Sequence, residues 1–277
     1  ISMNKNIFLL WLQGWDNAPW LQKQVAKSWE INNPDWIINY IDLDNLKDYI
    51  DDIDYIYDKS KEIRMPAKSD IIRLSLLKNH GGVWADSTLL CMQPLNHWVS
   101  QVTSTSNFWM HNSCIDKQTD YVGGASWFIL SEESSYIIDL WKTGCDNYWN
   151  KRKKMHTYLW MDSIFKDLFF LDFKFKNDWL KTINSTGLDL DSMHGPHILS
   201  SDNPYGGWWS DSPNAKDMLT NTPPYVLKLS GHPSPHSGIF PDPSCLNFKS
   251  SNAWHAIKMS KRRFHYKHQW ETPQKCN

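Results

Sequence analysis

Ile7-Phe8-Leu9-Leu10-Trp11-Leu12 is an unbroken apolar run released by Gln13-Gly14, the pattern of a strand buried on both faces. Pro19 then suits a first helical turn, and Leu21, Val25 and Trp29 recur at helical spacing until Asn32-Asn33-Pro34 stops the helix. Trp36-Ile37-Ile38-Asn39-Tyr40-Ile41 predicts a second strand, so the chain opens β-α-β with a parallel, right-handed crossover. The acidic stretch Asp42 to Asp58 carries Leu43, Leu46, Tyr49, Ile50 and Ile53, and predicts a short helix and loop with solvated carboxylates and no metal cluster. From Ser69 the pattern is helical, with Ile72, Leu76 and Leu77 on one stripe and a glycine stop at Asn79-His80-Gly81-Gly82. Val83-Trp84-Ala85 then re-enters the sheet and delivers Asp86-Ser87-Thr88 at its end.

Beyond Pro94 the pattern loosens. Phe108-Trp109-Met110 and Trp127-Phe128-Ile129-Leu130 predict strands, residues 132–150 and 156–171 predict amphipathic helices, and Tyr225-Val226-Leu227 is a short apolar piece in a proline-rich final third. Lys151-Arg152-Lys153-Lys154 reads as a solvated helix end or loop. No internal repeat or low-complexity linker interrupts the chain, so a single α/β domain over residues 3–277 is expected, mostly parallel in its central sheet and loop-rich in its C-terminal half.

Composition narrows the function classes. With 29 Lys+Arg against 30 Asp+Glu, the net charge of -1 provides no global field for nucleic acid or an anionic membrane. The 277 residues suffice for a core without metal or disulfide staples, and the five cysteines include no C-x-x-C pair. Ile1-Ser2 ahead of Met3 reads as an added scar, followed by a strand-length run and not by a signal sequence or a transmembrane segment. The expectation is a soluble, cytoplasmic protein, which a separate anchor or partner could still hold at a membrane. The anomaly is tryptophan: 17 residues, several-fold above ordinary usage.

The segment from Lys68 to Thr88 concentrates the chemistry. Asp70 and Arg73 stand three apart, in the expected first turn of a helix, and so point the same way. The Gly81-Gly82 turn brings the next strand back beside that helix, with Asp86 at a strand end, where open α/β sheets bind ligands.

Ser69-Asp70-x-x-Arg73, followed by Leu76-Leu77-x-x-x-Gly81-Gly82-x-Trp84-x-Asp86-x-Thr88, resembles the signature of the capsular-polysaccharide-synthesis and family 32 sugar transferases. These are GT-A-fold enzymes with a Rossmann-like sheet, related in their donor site to yeast-type mannosyltransferases and glucosylating clostridial toxins. Leu10-Trp11-Leu12-Gln13-Gly14-Trp15-Asp16-Asn17-Ala18-Pro19 resembles the way such proteins begin. The resemblance is good over residues 5–95 and loose beyond. It implies a nucleotide-sugar-binding half over residues 3–95 and an acceptor-binding half over 96–277.

The resemblance also implies roles. Asp70 and Arg73 would hydrogen-bond donor-sugar hydroxyls, and Asp86 would bind ribose or sugar and reach a divalent cation, Mn2+ or Mg2+. Trp11, Leu12 and Gln13 would hold the base, with Ser69 closing that side and Trp84 and Ala85 beside or beneath the donor. Asp-Ser-Thr departs from a D-x-D pattern by placing Thr88 at the second acidic position, so another ligand is sought among His232, His236 and His255, with His232 preferred. Trp127, after Gly123-Gly124, and Asp162 are candidates for the acceptor side. Gly195-Pro196-His197 resembles a family turn, and Trp254 a closing aromatic segment over the diphosphate.

The implied activity is transfer of a sugar from a UDP- or GDP-sugar to a carbohydrate hydroxyl, with anomeric retention following from the family alone. Two rival readings are a non-catalytic carbohydrate-binding protein, suggested by the aromatics, and a hydrolase using Asp70 and Asp86 as paired carboxylates. Against the hydrolase, Arg73 should lower the pKa of Asp70 and make it a poor general acid. Among the tryptophans, Trp20, Trp29 and Trp36 are expected in core positions, while those from Trp127 to Trp209 fit either an acceptor surface or plain packing.

Overall fold

The computed structural model describes residues 3–112, 122–183, 196–199, 207–208, 210–229 and 248–262. In chain order the elements are β1 (Asn6–Leu10), α1 (Trp20–Asn32), β2 (Ile37–Ile41), α2 (Leu46–Tyr49), α3 (Met65–His80), β3 (Gly82–Ala85), β4 (Leu89–Cys91), α4 (Val99–Val102), β5 (Phe108–His111) and β6 (Ala125–Ser131). They continue with α5 (Tyr136–Lys151), α6 (Trp160–Leu171), α7 (Phe173–Leu180), α8 (Pro213–Asn221), β7 (Val226–Lys228) and α9 (Asn252–Met259). The chain divides into two compact units, one of Ile1–Asn17, Trp36–Asp86 and Gln101–Thr186, the other of Ala18–Asp35, Ser87–Ser100 and Gly187–Asn277.

The first unit holds a five-stranded sheet in the order β2-β1-β3-β6-β5. β1 pairs in parallel with β2 and β3, whereas β6 runs antiparallel to both β3 and β5, so four of the five strands share one direction. The expected α/β class with a mostly parallel central sheet flanked by helices is therefore what the structure has. In register, Ile7 faces Val83 and Phe8 faces Trp84, which brings the C-terminal ends of β1 and β3 to one edge of the sheet.

Helix α3 differs from its expectation. It begins at Met65, with Pro66 in its first turn, and not at Ser69, so Asp70 and Arg73 lie beyond the first turn. The reason is local: Arg64 starts the helix without any side-chain cap, while proline's fixed φ suits a first turn. The helix ends as predicted, Gly81 taking φ 63 and Gly82 φ 123, backbone angles that disfavour any side chain. A Cβ on Gly82 would also collide with the Asn6 carbonyl of β1, so the pair of glycines is what lets the chain reverse directly into the sheet.

The core of this unit contains Phe8, Ile71, Leu74, Leu77, Trp84, Ile129, Trp141, Phe165, Phe175 and Trp179, all nearly inaccessible. Most of the tryptophan excess is accounted for by such packing: Trp29, Trp84, Trp98, Trp109, Trp141, Trp149, Trp160 and Trp179 are fully buried. Aromatic edges meet faces through the core, as where Trp141 lies 4.8 Å from Phe165 and Phe165 lies 5.0 Å from Trp179. Of the two alternatives open for Trp141, Trp149, Trp160 and Trp179, an acceptor surface or plain packing, the structure has packing, because α5, α6 and α7 turn them inward. A sheet surface burying that much ring area cannot also offer those rings to a glycan.

In the second unit β4 and β7 form an antiparallel pair, fulfilling the expected late strand, and α1 carries Trp29, whose indole donates to the Leu89 carbonyl at 2.8 Å. Asn32 of α1 donates to the carbonyls of Cys91 and Ser260, tying the helix to β4 and to the end of α9. Trp20 stacks on Trp254 at 5.9 Å, with Phe248 beside both. Trp254 therefore packs within this unit's own aromatic cluster.

Candidate functional site

The predicted constellation at the end of β3 is assembled inside the first unit. Burying a guanidinium demands that every N–H find a partner, and Arg73, with its side chain 7% exposed, satisfies this from several elements. One terminal nitrogen approaches the carboxylates of Asp70 at 3.1 Å and Asp86 at 3.6 Å, and reaches Ser69 Oγ at 3.2 Å. The other donates to the Ser126 carbonyl at 2.6 Å and to its hydroxyl at 3.0 Å. Arg73 was expected to bond sugar hydroxyls. In the structure its donors meet protein groups, and its geometry fixes the two carboxylates and the start of β6.

Asp86 is positioned three ways. Its backbone N–H donates to Trp127 O at 2.9 Å, the Trp84 indole donates to its carboxylate at 2.9 Å, and Arg73 lies against it. Trp84 itself is buried with the Arg73 guanidinium 5.0 Å from its ring, so it supports the site from beneath and offers no face to a donor. Ala85 and Leu12 likewise turn their side chains into the core, which leaves only their backbone groups for ligand contact. Trp11, half-buried, donates its backbone N–H to Ile41 at 2.9 Å, and Gln13 is exposed at the same strand end.

The carboxyl of Asp70 corrects a second expectation. Burial pushes it up to about 6, and Asp86 and Asp162 add to the rise, against the lowering by Arg73 and by the Trp160 indole. Desolvation outweighs the ion pair, so Arg73 does not hold Asp70 in the acidic range. Because the folded-state value exceeds the unfolded one, the folded protein binds the proton more tightly, and this group's contribution to stability is lost as pH rises from about 4 through about 6. Asp70→Asn should accordingly gain on wild type across that window and keep a constant difference above it, as read by urea unfolding at a series of pH values. A difference that does not vary with pH would show Asp70 to be an ordinary exposed carboxylate.

Sequence reasoning missed two members of this cluster. Ser126, on β6, supplies both of its oxygens to Arg73 and has no motif signal. Trp160, at the start of α6, is wholly buried, and its indole works against the rise of the Asp70 carboxyl. Asp162, two residues on, is coupled electrostatically to Asp70 and Arg73, and burial raises its carboxyl against the pull of Arg73. The candidate acceptor carboxylate is thus brought to the cluster. Trp127 is half-buried with its ring 4.8 Å from His111, and Gly123 and Gly124 precede its strand.

The ligand set expected for a divalent cation falls partly outside the described residues. Among the described residues no three His, Cys, Asp or Glu side chains group to hold a metal. The Thr88 hydroxyl accepts from the Lys228 ammonium, and a fixed cation there opposes a second one. His255 pairs with the Thr220 hydroxyl at 2.8 Å within the second unit. His232 and His236, like Gly195 and Trp209, lie outside the described residues. The described donors therefore do not fit a divalent site by themselves.

The family described as "Capsular polysaccharide synthesis protein" matches residues 1–201. Among solved structures, one named PaToxG Glycosyltransferase is similar at 15% identity, covering 69% of this chain and 84% of that chain with a TM-score of 0.40. No curated protein matches.

Proposed function

Because the chain belongs to the capsular polysaccharide synthesis protein family, we propose that it is a glycosyltransferase that moves a sugar from a nucleotide-sugar donor, a UDP- or GDP-sugar, to a carbohydrate hydroxyl, with retention. The observation that carries this reading is the buried Arg73 holding Asp70 and Asp86 together at the C-terminal edge of β3. A pair of oriented carboxylates at that edge accepts hydrogen bonds from ribose and sugar hydroxyls, and Arg73 fixes both before the ligand arrives, so little orientational entropy remains to be lost on binding. Asp162, half-buried and coupled to the same guanidinium, accepts the proton of an incoming acceptor hydroxyl. The backbone of Trp11 to Gln13, at the neighbouring end of β1, receives the base. The burial of most tryptophans removes the feature that favoured a carbohydrate-binding protein without catalysis.

A thermal-shift panel of UDP-, GDP- and CMP-sugars, each with and without Mn2+, tests the reading, followed by donor consumption with a carbohydrate acceptor. A saturable stabilisation by one class of nucleotide sugar is expected, and the absence of any shift would overturn it. Asp86→Asn keeps the shape but loses the charge that Arg73 and Trp84 orient; donor turnover should fall about 100-fold or more, with the unfolding midpoint close to wild type. Turnover equal to wild type would remove Asp86 from the site.

A further inference from the structure

Among the described residues ten large apolar side chains are exposed, and six of them, Tyr158, Leu159, Phe170, Leu171, Phe173 and Leu180, fall between residues 158 and 180. Leu171 is 84% exposed and Phe173 79%, at the junction of α6 and α7, where two rings and a leucine stand out together. Helix geometry extends the face: Lys166 and Phe170 are four residues apart and so lie along one stripe of α6, with the exposed Leu159 just before its start. Soluble proteins scatter single apolar residues over their surfaces, but a concentration of this kind marks an interaction face.

The charge around it is one-sided. Between residues 151 and 181 eight basic side chains are exposed: the run from Lys151 to Lys154, then Lys166, Lys174, Lys176 and Lys181. Three of the four acidic side chains of the same stretch are half-buried. Asp172 caps α7 and accepts from the Tyr136 hydroxyl, Asp178 pairs with Lys174 at 2.6 Å and with Lys181 at 3.7 Å, and Asp162 feels the charge of Arg73. Asp167 is the one exposed carboxylate of the stretch. In a chain whose net charge is -1, this is a segment biased toward positive charge.

We propose that this face of α6 and α7 docks on an anionic lipid surface, with Phe170, Leu171 and Phe173 entering the headgroup boundary and the lysines meeting lipid phosphates. Apolar insertion and basic attraction are the two components that hold an interfacial helix on a membrane, and lysine stems reach outward while their ammonium groups stay in water. No described helix is long and apolar enough to cross a bilayer, so the contact is lateral. This inference does not rest on the transferase reading.

Sedimentation of the full chain with large vesicles tests it, since neither donor nor acceptor enters the assay and failure here is separate from failure of the proposed activity. Binding is expected to vesicles of phosphatidylcholine containing phosphatidylglycerol, weakening as salt is raised. Phe170→Ser combined with Leu171→Ser and Phe173→Ser should lower the partition coefficient at least about tenfold, and Lys166→Glu with Lys174→Glu and Lys176→Glu should do the same on anionic vesicles. All six positions are exposed, so unfolding midpoints should stay near wild type; if the serine variant misfolds, the charge variant decides. Absence of wild-type binding, or binding unchanged in the variants, would overturn the proposal. So would a concentration-dependent dimer that the serine variant abolishes, which would give the face to a second copy.

Discussion

Arg73→Ala should unfold at markedly lower denaturant than wild type and should also lose sugar transfer, about 1,000-fold or more. The guanidinium is almost fully buried and compensates two carboxylates whose side chains are only 19% and 27% exposed. Removing it leaves Asp70 and Asp86 facing one another without a cation and frees the two Ser126 oxygens, the situation in which breaking a buried pair costs about 3 to 5 kcal/mol. The raised carboxyl of Asp70 would rise further, since the one nearby group that lowers it by charge is gone. Arg73→Lys separates the two effects. An ammonium keeps the charge but cannot span Ser126, Asp70 and Asp86 at once, so stability should largely return while transfer stays depressed. A stable, active alanine variant would show that the carboxylates are solvated and that the cluster is not the donor site.

Lys142→Met should destabilise the protein by about 2 to 3 kcal/mol without touching the donor carboxylates. Lys142 is 1% exposed and its ammonium lies 2.7 Å from Asp146 and 3.4 Å from Asp52. Asp52 also accepts from the Ser75 hydroxyl and from Asn79, both on α3, while Asp146 accepts from Tyr55 at 2.7 Å. The network therefore pins α3, the helix that carries Asp70 and Arg73, to α5. The cost falls below that of a wholly buried pair because both carboxylates keep about a quarter or more of their exposure. Adding Asp52→Asn and Asp146→Asn to the methionine variant should recover most of the loss, as removing the whole charge set leaves no uncompensated ion. The pH dependence has the opposite sign to that of Asp70. Burial raises the Asp52 carboxyl, but Ser75, Lys142 and Asn79 together outweigh it and hold it below the usual range. Its contribution is present above the ordinary carboxylate range and is lost as pH falls through the lowered value, so the deficit of Lys142→Met should shrink in acid. A deficit independent of pH would mean that Lys142 acts by packing alone.

Local patterns carried much of this. The β-α-β opening, the glycine reversal into β3 and the strands near residues 108 and 127 follow from hydrophobic period and backbone freedom, both properties of a few adjacent residues. The identity of Asp70, Arg73 and Asp86 as a group was legible too, because two of them share a helix face and the glycine pair returns the third. The network at Lys142 left a fainter trace. Lysine stands within the apolar stripe of α5 formed by Ile138, Trp141, Cys145 and Trp149, a position that calls for buried carboxylates, but the sequence could not say that one of them, Asp52, would come from a stretch read as solvated.

The chain alone determined where strands and helices begin to alternate, where the backbone must reverse, and which three charged residues arrive at one sheet edge. Only the tertiary structure decided what those charges do to each other. Arg73 clamps Asp70, Asp86 and Ser126 together, and Ser126, 53 residues away, is a partner that no local spacing announced. Asp70 titrates upward because desolvation is set by everything packed around it and not by its nearest neighbour in sequence. The tryptophans likewise went into the core where helices from distant parts of the chain closed over them, while Phe170, Leu171 and Phe173, no different in composition, were left outside. Period and spacing are local quantities; burial and the electrostatics that depend on it are sums over the folded neighbourhood.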